Sequence, residues 1–280
     1  MEKTTKEFLA DKDASARIQE ATDYPLQRAP DGRVVGHFFH CRLSSVFQPV
    51  CDVSERQVVG HAAYVRSDAN DDGALSPWGI FALATDDPVM VRLDRLCRTL
   101  HALNYFSSVP ERQTLFLAVQ PRLLESVKDG HGRAFEKVLD LIGVETSRVV
   151  IEIPAEVNQD WRLLKHVIFN YRSRGYRIAL NHVGNNEGWM AELGSLFPDF
   201  VRLEAGELTK RSNLGALVDA IHRFGATLLV RDVENEQNMA AAVRAGADLL
   251  QERYLAEPTP AIGTLSRSAR EQANHPGCAW

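Results

Sequence analysis

The strongest constraint on the fold of this chain is a regular alternation between short β-rich runs and amphipathic helical stretches. One helical stretch carries Val89, Leu93, Leu96 and Leu100 on one face, the spacing expected of a helix that packs on a sheet. Runs rich in β-branched and aromatic residues predict eight strands. They are Ser45–Val50, Val58–Val65, Thr114–Val119, Val149–Ile153, Tyr176–Leu180, Phe200–Leu203, Thr227–Val230 and Asp248–Gln251.

Strands that alternate with helices predict a parallel sheet. The first two runs are joined only by Cys51–Gln57, which is too short for a crossover, so we expect these two strands to be antiparallel. The succession of strand–helix units favours a closed barrel over an open sheet. The predicted fold class is therefore α/β, a modified (β/α)8 TIM-like barrel with an antiparallel first strand.

Composition and charge restrict the domain organisation and the class of partner. The 280 residues carry a net charge of -5, which predicts no nucleic-acid or membrane partner, and no apolar run is long enough to span a bilayer. The four cysteines form no C-x-x-C pair, as is typical of free thiols in a cytoplasmic protein. We predict an N-terminal leader at 1–33, outside the main core and with a helix as one option, a barrel at 34–260, and a C-terminal tail at 261–280.

The residues at the carboxyl ends of the predicted strands indicate the chemistry of the site, because barrel enzymes place their catalytic groups there. Glu152 is the one well-placed carboxylate, and Arg202 and Arg231 occupy two other strand ends. Divalent cations need several oxygen ligands, and a guanidinium stays protonated and repels a cation. The residues themselves therefore argue against two-metal catalysis.

Several segments resemble the motifs of the EAL domain family, which comprises cyclic di-GMP phosphodiesterases and their inactive relatives. Phe47–Val50 resembles the F-Q-P-I start, and Val58–Arg66 resembles the V-x-G-x-E-A-L-x-R motif. The resemblance covers about residues 40–260 and implies an EAL-type barrel; in active members it implies two Mg²⁺ or Mn²⁺ ions. Further matching segments follow in family order: Leu117–Pro121, Ile151–Ile153, Ile178–Gly184, Pro198–Glu204, Leu229–Glu236 and Ala245–Pro258.

The resemblance also implies which residues occupy the metal positions, and most of these have changed. The glutamate of E-A-L is placed at His61, the asparagine of N-x-S-P at Ala118, and the two aspartates of D-D-F-G at Asn181 and His182. None of these replacements is a carboxylate.

Two further positions of the resemblance have become cationic. The lysine of I-K-I-D is replaced by Arg202, and the glutamate of A-E-G by Arg231, whereas Glu152 and Glu234 are retained. The sequence therefore predicts a degenerate domain with no catalytic residues, no metal and no cofactor. We also expect Arg202 or Arg231 to pair with Glu152, because an unpaired buried carboxylate is unfavourable.

Some positions remain candidates for binding. Gln48, Arg66, Arg202 and Gln251 are the candidates for weak binding of cyclic di-GMP, since arginine suits phosphate geometry. The alternative for Arg66 is a pair with a carboxylate such as Asp68 or Asp94. A lower-ranked alternative metal site combines His61, Glu152 and His182, because two histidines and a carboxylate can bind Fe²⁺ or Zn²⁺.

Three functions stay open at this stage. The first is a non-catalytic signalling module that binds an unknown protein partner, with Trp189 in the loop Asn185–Met190 as a candidate anchor. The second is a non-catalytic receptor for cyclic di-GMP, and the third is a residual phosphodiesterase. Homodimer formation is also left open.

Overall fold

The computed structural model describes residues 18–20, 26–67, 75–109, 112–127, 130–182, 187–210, 213–252 and 259–260. The strands in this part of the chain are β1 Leu26–Arg28, β2 Val34–Phe38, β3 Cys41–Asp52, β4 Val58–Ser67, β5 Thr114–Ala118, β6 Val149–Ile153, β7 Arg177–Asn181, β8 Phe200–Glu204, β9 Thr227–Val233 and β10 Leu249–Glu252. The α-helices are α1 Pro77–Ala82, α2 Asp87–Phe106, α3 Pro121–Ser126, α4 Arg133–Leu141, α5 Trp161–Arg172, α6 Glu187–Leu196, α7 Ala205–Leu208, α8 Leu214–Arg223 and α9 Glu236–Arg244.

Eight of the strands close into a barrel. They follow the order β3-β10-β9-β8-β7-β6-β5-β4, and pairing between β3 and β4 completes the ring. β3 is antiparallel to both of its barrel neighbours, and the other pairs are parallel. The predicted TIM-like barrel with an antiparallel first strand is therefore confirmed.

Alternation along the strands divides the hydrophobic residues between two layers. Successive side chains of a strand point to opposite faces, so one set fills the barrel and the other packs against the surrounding helices. The cluster inside the barrel consists of Val50, Ala62, Phe116, Val150, Ala179, Phe200, Leu229 and Leu249. The larger cluster lies between the strands and the helices. This division determines which side chains reach the two open ends of the barrel.

The barrel sheet has two strands that the sequence did not predict. β1 pairs with β2, and β2 pairs with β3, both in antiparallel register. Asn104 on α2 anchors β2, because its side chain accepts a 2.8 Å bond from the backbone N–H of Val34 and donates a 2.8 Å bond to the Val34 carbonyl. The leader was expected outside the core, yet Ile18 is only 1% exposed and residues 26–28 join the sheet.

No helix in the described part of the chain is long and apolar enough to cross a membrane.

Candidate functional site

A buried ion pair lies inside the barrel near the carboxyl ends of the strands. Glu152 on β6 and Arg202 on β8 form a salt bridge, with their side chains 6% and 2% exposed. The alternation of each strand explains the meeting: Val150 and Phe200 belong to the interior cluster, so the residues two positions later also point inward. The predicted pair between an arginine and Glu152 is thus present, and Arg202 is the arginine that forms it.

A chain of hydrogen bonds extends from this ion pair to the opposite strands. Arg202 donates a 3.0 Å bond to the amide oxygen of Gln251. The amide nitrogen of Gln251 donates to Gln48 at 2.8 Å and to the hydroxyl of Tyr64 at 2.5 Å. Three of the four predicted ligand-binding residues, Gln48, Arg202 and Gln251, therefore meet, although they are far apart in the sequence.

Tyr64 belongs to this cluster but was not singled out from the sequence. Burial, reinforced by the negative charge of Glu152, raises the pKa of the Tyr64 hydroxyl, so this group stays protonated. Strand alternation could have identified Tyr64 from the sequence, because it follows Ala62 by two residues on β4 and therefore shares the interior face. Glu152, Arg202, Gln251, Gln48 and Tyr64 together are called the mouth cluster below.

Arg231 takes a different partner from the one considered at the sequence level. Its guanidinium lies 2.5 Å from the carboxylate of Glu204 and 3.6 Å from that of Asp232. This pair is partly exposed, with side-chain exposures of 31% for Arg231 and 42% for Glu204. Both arginines at the strand ends are thus neutralised by acidic residues of this chain.

His61 does not lie in the mouth cluster. Its Nδ1 donates a 3.2 Å hydrogen bond to the hydroxyl of Tyr105 on α2, which in turn donates to the Thr114 carbonyl at 2.9 Å. Burial lowers the pKa of His61 to about 4, so its ring is neutral at pH 7. The prediction that His61 replaces the E-A-L glutamate is wrong, because Ala62 is the residue of this pair in the interior cluster.

The spacing of the motif in the sequence already indicates Ala62 rather than His61. In V-x-G-x-E the glutamate is two residues after the glycine, and Gly60 places that position at Ala62. A shift of one residue moves a side chain to the other face of a strand. The alternative metal site of His61, Glu152 and His182 fails for the same reason, and the described residues contain no group of three His, Cys, Asp or Glu that could hold a metal ion.

The other strand-end positions offer few metal ligands. Ala118 is exposed at the end of β5 but carries only a methyl group, and Glu234 is exposed beyond β9. Asn181 is partly buried at the end of β7, and the buried His182 donates its backbone N–H to the Arg202 carbonyl at 2.9 Å. This donor set does not fit a pair of divalent ions, since Glu152, the buried carboxylate among these strand-end positions, is already engaged by a guanidinium.

The remaining candidate binding residues are Arg66, near the end of β4, and Trp189. Arg66 is exposed near the end of β4. Asp94, one of its considered partners, instead forms a buried 2.6 Å salt bridge with Arg98. Asp68 and the side chain of Trp189 fall outside the described residues.

The fold and the strand ends define a class before any relative is considered: a TIM-like barrel with one antiparallel strand and a polar cluster at its carboxyl end. A match to the EAL domain model spans residues 35–258. The chain therefore belongs to the EAL domain family, a family of cyclic di-GMP signalling.

Individual relatives agree with this assignment. YkuI, an uncharacterized EAL-domain protein of Bacillus subtilis strain 168, is 25% identical over 225 residues, which cover 76% of this chain and 54% of YkuI. The chain thus spans about half the length of this curated relative. The crystal structure of YkuI with cyclic di-GMP and calcium has a TM-score of 0.67 at 23% identity, covering 83% of this chain and 62% of the other.

Two further solved structures share the fold at lower identity. The PaMucR phosphodiesterase in complex with cyclic di-GMP has a TM-score of 0.66 at 19% identity, covering 80% of this chain and 94% of the other. BlrP1 of Klebsiella pneumoniae, with manganese and cyclic di-GMP, has a TM-score of 0.63 at 18% identity, covering 84% of this chain and 58% of the other.

Proposed function

We propose that this chain is a catalytically inactive EAL module that acts in cyclic di-GMP signalling by binding another protein. The salt bridge between Arg202 and Glu152 carries the proposal. Metal-assisted hydrolysis needs a bound cation to polarise a phosphate oxygen and to activate water. A permanently charged guanidinium beside the one buried strand-end carboxylate repels that cation.

The changes at neighbouring positions support the same conclusion. Ala62 and Ala118 have no ligand atoms, although both follow the interior faces of their strands. The mouth cluster is held by hydrogen bonds within the chain rather than by oxygen atoms arranged around a cation. The degenerate interpretation of the domain and the absence of phosphodiesterase activity rest on these residues.

Protein binding ranks above nucleotide binding because the strand-end cations are already paired. Arg202 is engaged by Glu152 and Gln251, and Arg231 by Glu204. A bound cyclic dinucleotide brings two phosphate charges, and at these two arginines it would compete with carboxylates of the chain. We therefore propose a protein partner in the cytoplasm, of unknown identity.

A receptor for cyclic di-GMP is the second candidate. Arg66 is exposed near the end of β4 and keeps a guanidinium that suits a phosphate. The amides of Gln48 and Gln251 lie side by side in the barrel. The solved structures of YkuI and PaMucR contain cyclic di-GMP, which makes this ligand the first to test.

Hydrolysis of cyclic di-GMP in the presence of Mg²⁺ or Mn²⁺ tests the central proposal. We expect no linear product above the background without protein. Product formation that is lost in Glu152→Gln and kept in Glu145→Gln, an exposed glutamate before β6, would contradict the proposal, because it would show that Glu152 serves a catalytic metal.

Calorimetric titration with cyclic di-GMP separates the two candidates. The protein-binding function predicts no saturable heat at micromolar ligand, with or without Mg²⁺. Sub-micromolar affinity that disappears in Arg66→Ala but persists in Arg42→Ala, an arginine on β3, would instead establish the receptor. Trp189→Ala then tests the proposed anchor in a pull-down of the partner.

A further inference from the structure

The barrel has an open cavity at the amino-terminal ends of its strands, opposite the mouth cluster. Its volume is about 450 Å³, within the range of pockets that bind small molecules. The base is apolar and consists of Val59, Phe116, Phe200 and Leu249. The two phenylalanine rings meet edge to face with centroids 5.4 Å apart. These rings are nearly buried, with Phe116 2% and Phe200 3% exposed, so the partly buried Val59 supplies the apolar contact that a ligand can reach.

One wall of the cavity offers a cation. The guanidinium of Arg177, on β7, lies 4.5 Å from the centre of the Phe200 ring. Its carboxylate neighbour is Asp199 at 4.0 Å, which is beyond hydrogen-bonding distance. Within the described part of the chain, no hydrogen bond uses the Arg177 donors, and the side chain is 40% exposed. Stacking on the Phe200 ring thus orients the guanidinium, and its N–H groups can donate hydrogen bonds to a ligand.

The opposite wall offers a carboxylate. Asp52 ends β3, which is four strands away from β7 in either direction around the barrel. Burial opposes ionisation of Asp52, but hydrogen bonds from Glu55 and Ser54 outweigh it and hold the pKa of the carboxyl below its usual value. These bonds all reach Oδ1, which leaves Oδ2 for another donor. Asp248 also lines the cavity, but its Oδ2 already lies 3.0 Å from Nε2 of His222 and accepts a 2.7 Å bond from the backbone N–H of Leu228. Asp52 is therefore the carboxylate available to a ligand.

We propose that this cavity binds a small zwitterion, such as a dipeptide. The ligand carboxylate pairs with Arg177, its ammonium group lies at Asp52, and a ligand side chain contacts Val59 at the base. A fork of guanidinium donors matches a carboxylate, and the Asp52 carboxylate on the far wall matches an ammonium group. This site does not depend on the proposed function, because its residues lie at the other end of the barrel from Glu152 and Arg202.

Titration with Leu-Leu and its end-blocked forms tests the proposal on the unmodified protein. We expect saturable binding of Leu-Leu, and affinity lower by about tenfold or more for Leu-Leu amide and for N-acetyl-Leu-Leu, since each has lost one charge. No binding of Leu-Leu at millimolar concentration overturns the proposal. Equal affinity for the free and both blocked forms overturns it as well, because the charged walls would then have no role.

Variants assign each end of the ligand to its wall. Arg177→Gln should weaken Leu-Leu about tenfold but leave Leu-Leu amide unchanged. Asp52→Asn keeps an oxygen acceptor for the Ser54 turn and should weaken Leu-Leu but not N-acetyl-Leu-Leu. The matched control is Arg172→Gln, because Arg172 also contacts Asp199 but does not line the cavity. Equal losses in Arg172→Gln and Arg177→Gln would contradict the assignment.

Discussion

The ion pair of Glu152 and Arg202 shows how two opposite charges are buried together at the strand ends. Burying an isolated charge costs several kcal/mol, and here each charge is compensated by the other and by the amide of Gln251. Oε1 of Glu152 and Nε of Arg202 nevertheless have no hydrogen-bond partner among the described residues. Each charge is therefore stabilised mainly by the other. Removing one member leaves the other charge buried without a partner, which lowers the stability of the fold.

The first prediction concerns this pair. Glu152→Ala leaves a guanidinium buried without its carboxylate and should lower the free energy of unfolding by about 3–5 kcal/mol, measured by urea denaturation. The control is Lys165→Ala, which breaks the half-exposed salt bridge to Glu192 and should cost less than about 1 kcal/mol. Similar small losses in both variants would mean that the pair contributes nothing.

The second prediction follows from two neutral buried histidines. Burial lowers the pKa of His61 to about 4 and that of His101 to about 3, whereas an unfolded histidine titrates near 6.5. Between these values the unfolded chain binds protons that the folded chain excludes, so stability is complete above about pH 6.5 and falls as the pH is lowered. Each histidine contributes up to about 1.4 kcal/mol per pH unit.

Urea denaturation across this pH window measures the effect. We expect a shallower decline in His61→Asn, whose amide can still donate to Tyr105, and in His101→Asn, whose side chain can still bond to Ser45. Identical pH slopes in the two variants and the wild type would contradict the assignment.

At the level of elements, β4 contains a position, Gly60, where packing against β5 leaves no room for a side chain. A Cβ atom added at Gly60 would lie 2.3 Å from the Thr114 carbonyl oxygen on β5 and 3.0 Å from the Phe116 ring. These neighbours are the backbone of a paired strand and a side chain of the barrel interior. The glycine of the motif therefore permits the close approach of β4 to β5.

The third prediction tests this close approach. Gly60→Ala should destabilise the fold by about 1–3 kcal/mol or more, because a barrel strand must shift to make room; thermal and urea unfolding measure it. Gly206→Ala on α7 is the control, since its added Cβ meets no atom within 4 Å. The control should be neutral or slightly stabilising. A loss in Gly206→Ala as large as in Gly60→Ala would exclude the proposed contact as the cause.

On the scale of the whole molecule, the closed barrel separates two polar ends by a layer of apolar side chains. The mouth cluster occupies the carboxyl end, and Arg177 and Asp52 line the cavity at the other end. The interior cluster, with Phe116, Phe200 and Leu229 among its members, lies between the ends. Ligand binding at one end and at the other can therefore be tested independently.

The fourth prediction concerns metal ions and the stability of the whole fold. A ligand that binds only the folded state raises its stability, so a bound metal would raise the melting temperature. We expect millimolar Mg²⁺ or Mn²⁺, and their removal with EDTA, to shift Tm by less than about 1 °C. A shift of several degrees that is lost in Glu152→Gln would show that the strand ends hold a cation.

The sequence by itself determined the order and type of the barrel strands, whereas the loss of most ligand positions stays a prediction. The alternation of strands with helices and the lengths of the connecting segments carry this information. Both can be read from short stretches of sequence, because a parallel pair of strands needs a crossover connection and an antiparallel pair does not. The sequence also placed Glu152 and Arg202 at strand ends, where the parity of each strand directs them inward.

Only the tertiary structure decided which of these side chains meet. Gln48 and Gln251 are 203 positions apart and are joined by barrel closure, and Arg231 pairs with Glu204 on the adjacent strand rather than with Glu152. The spacing of the motif in the sequence gives the face of β4 on which His61 lies, but its contact with Tyr105 depends on how α2 packs against that face. Contacts of this kind depend on strand register and side-chain reach, which local sequence patterns do not encode.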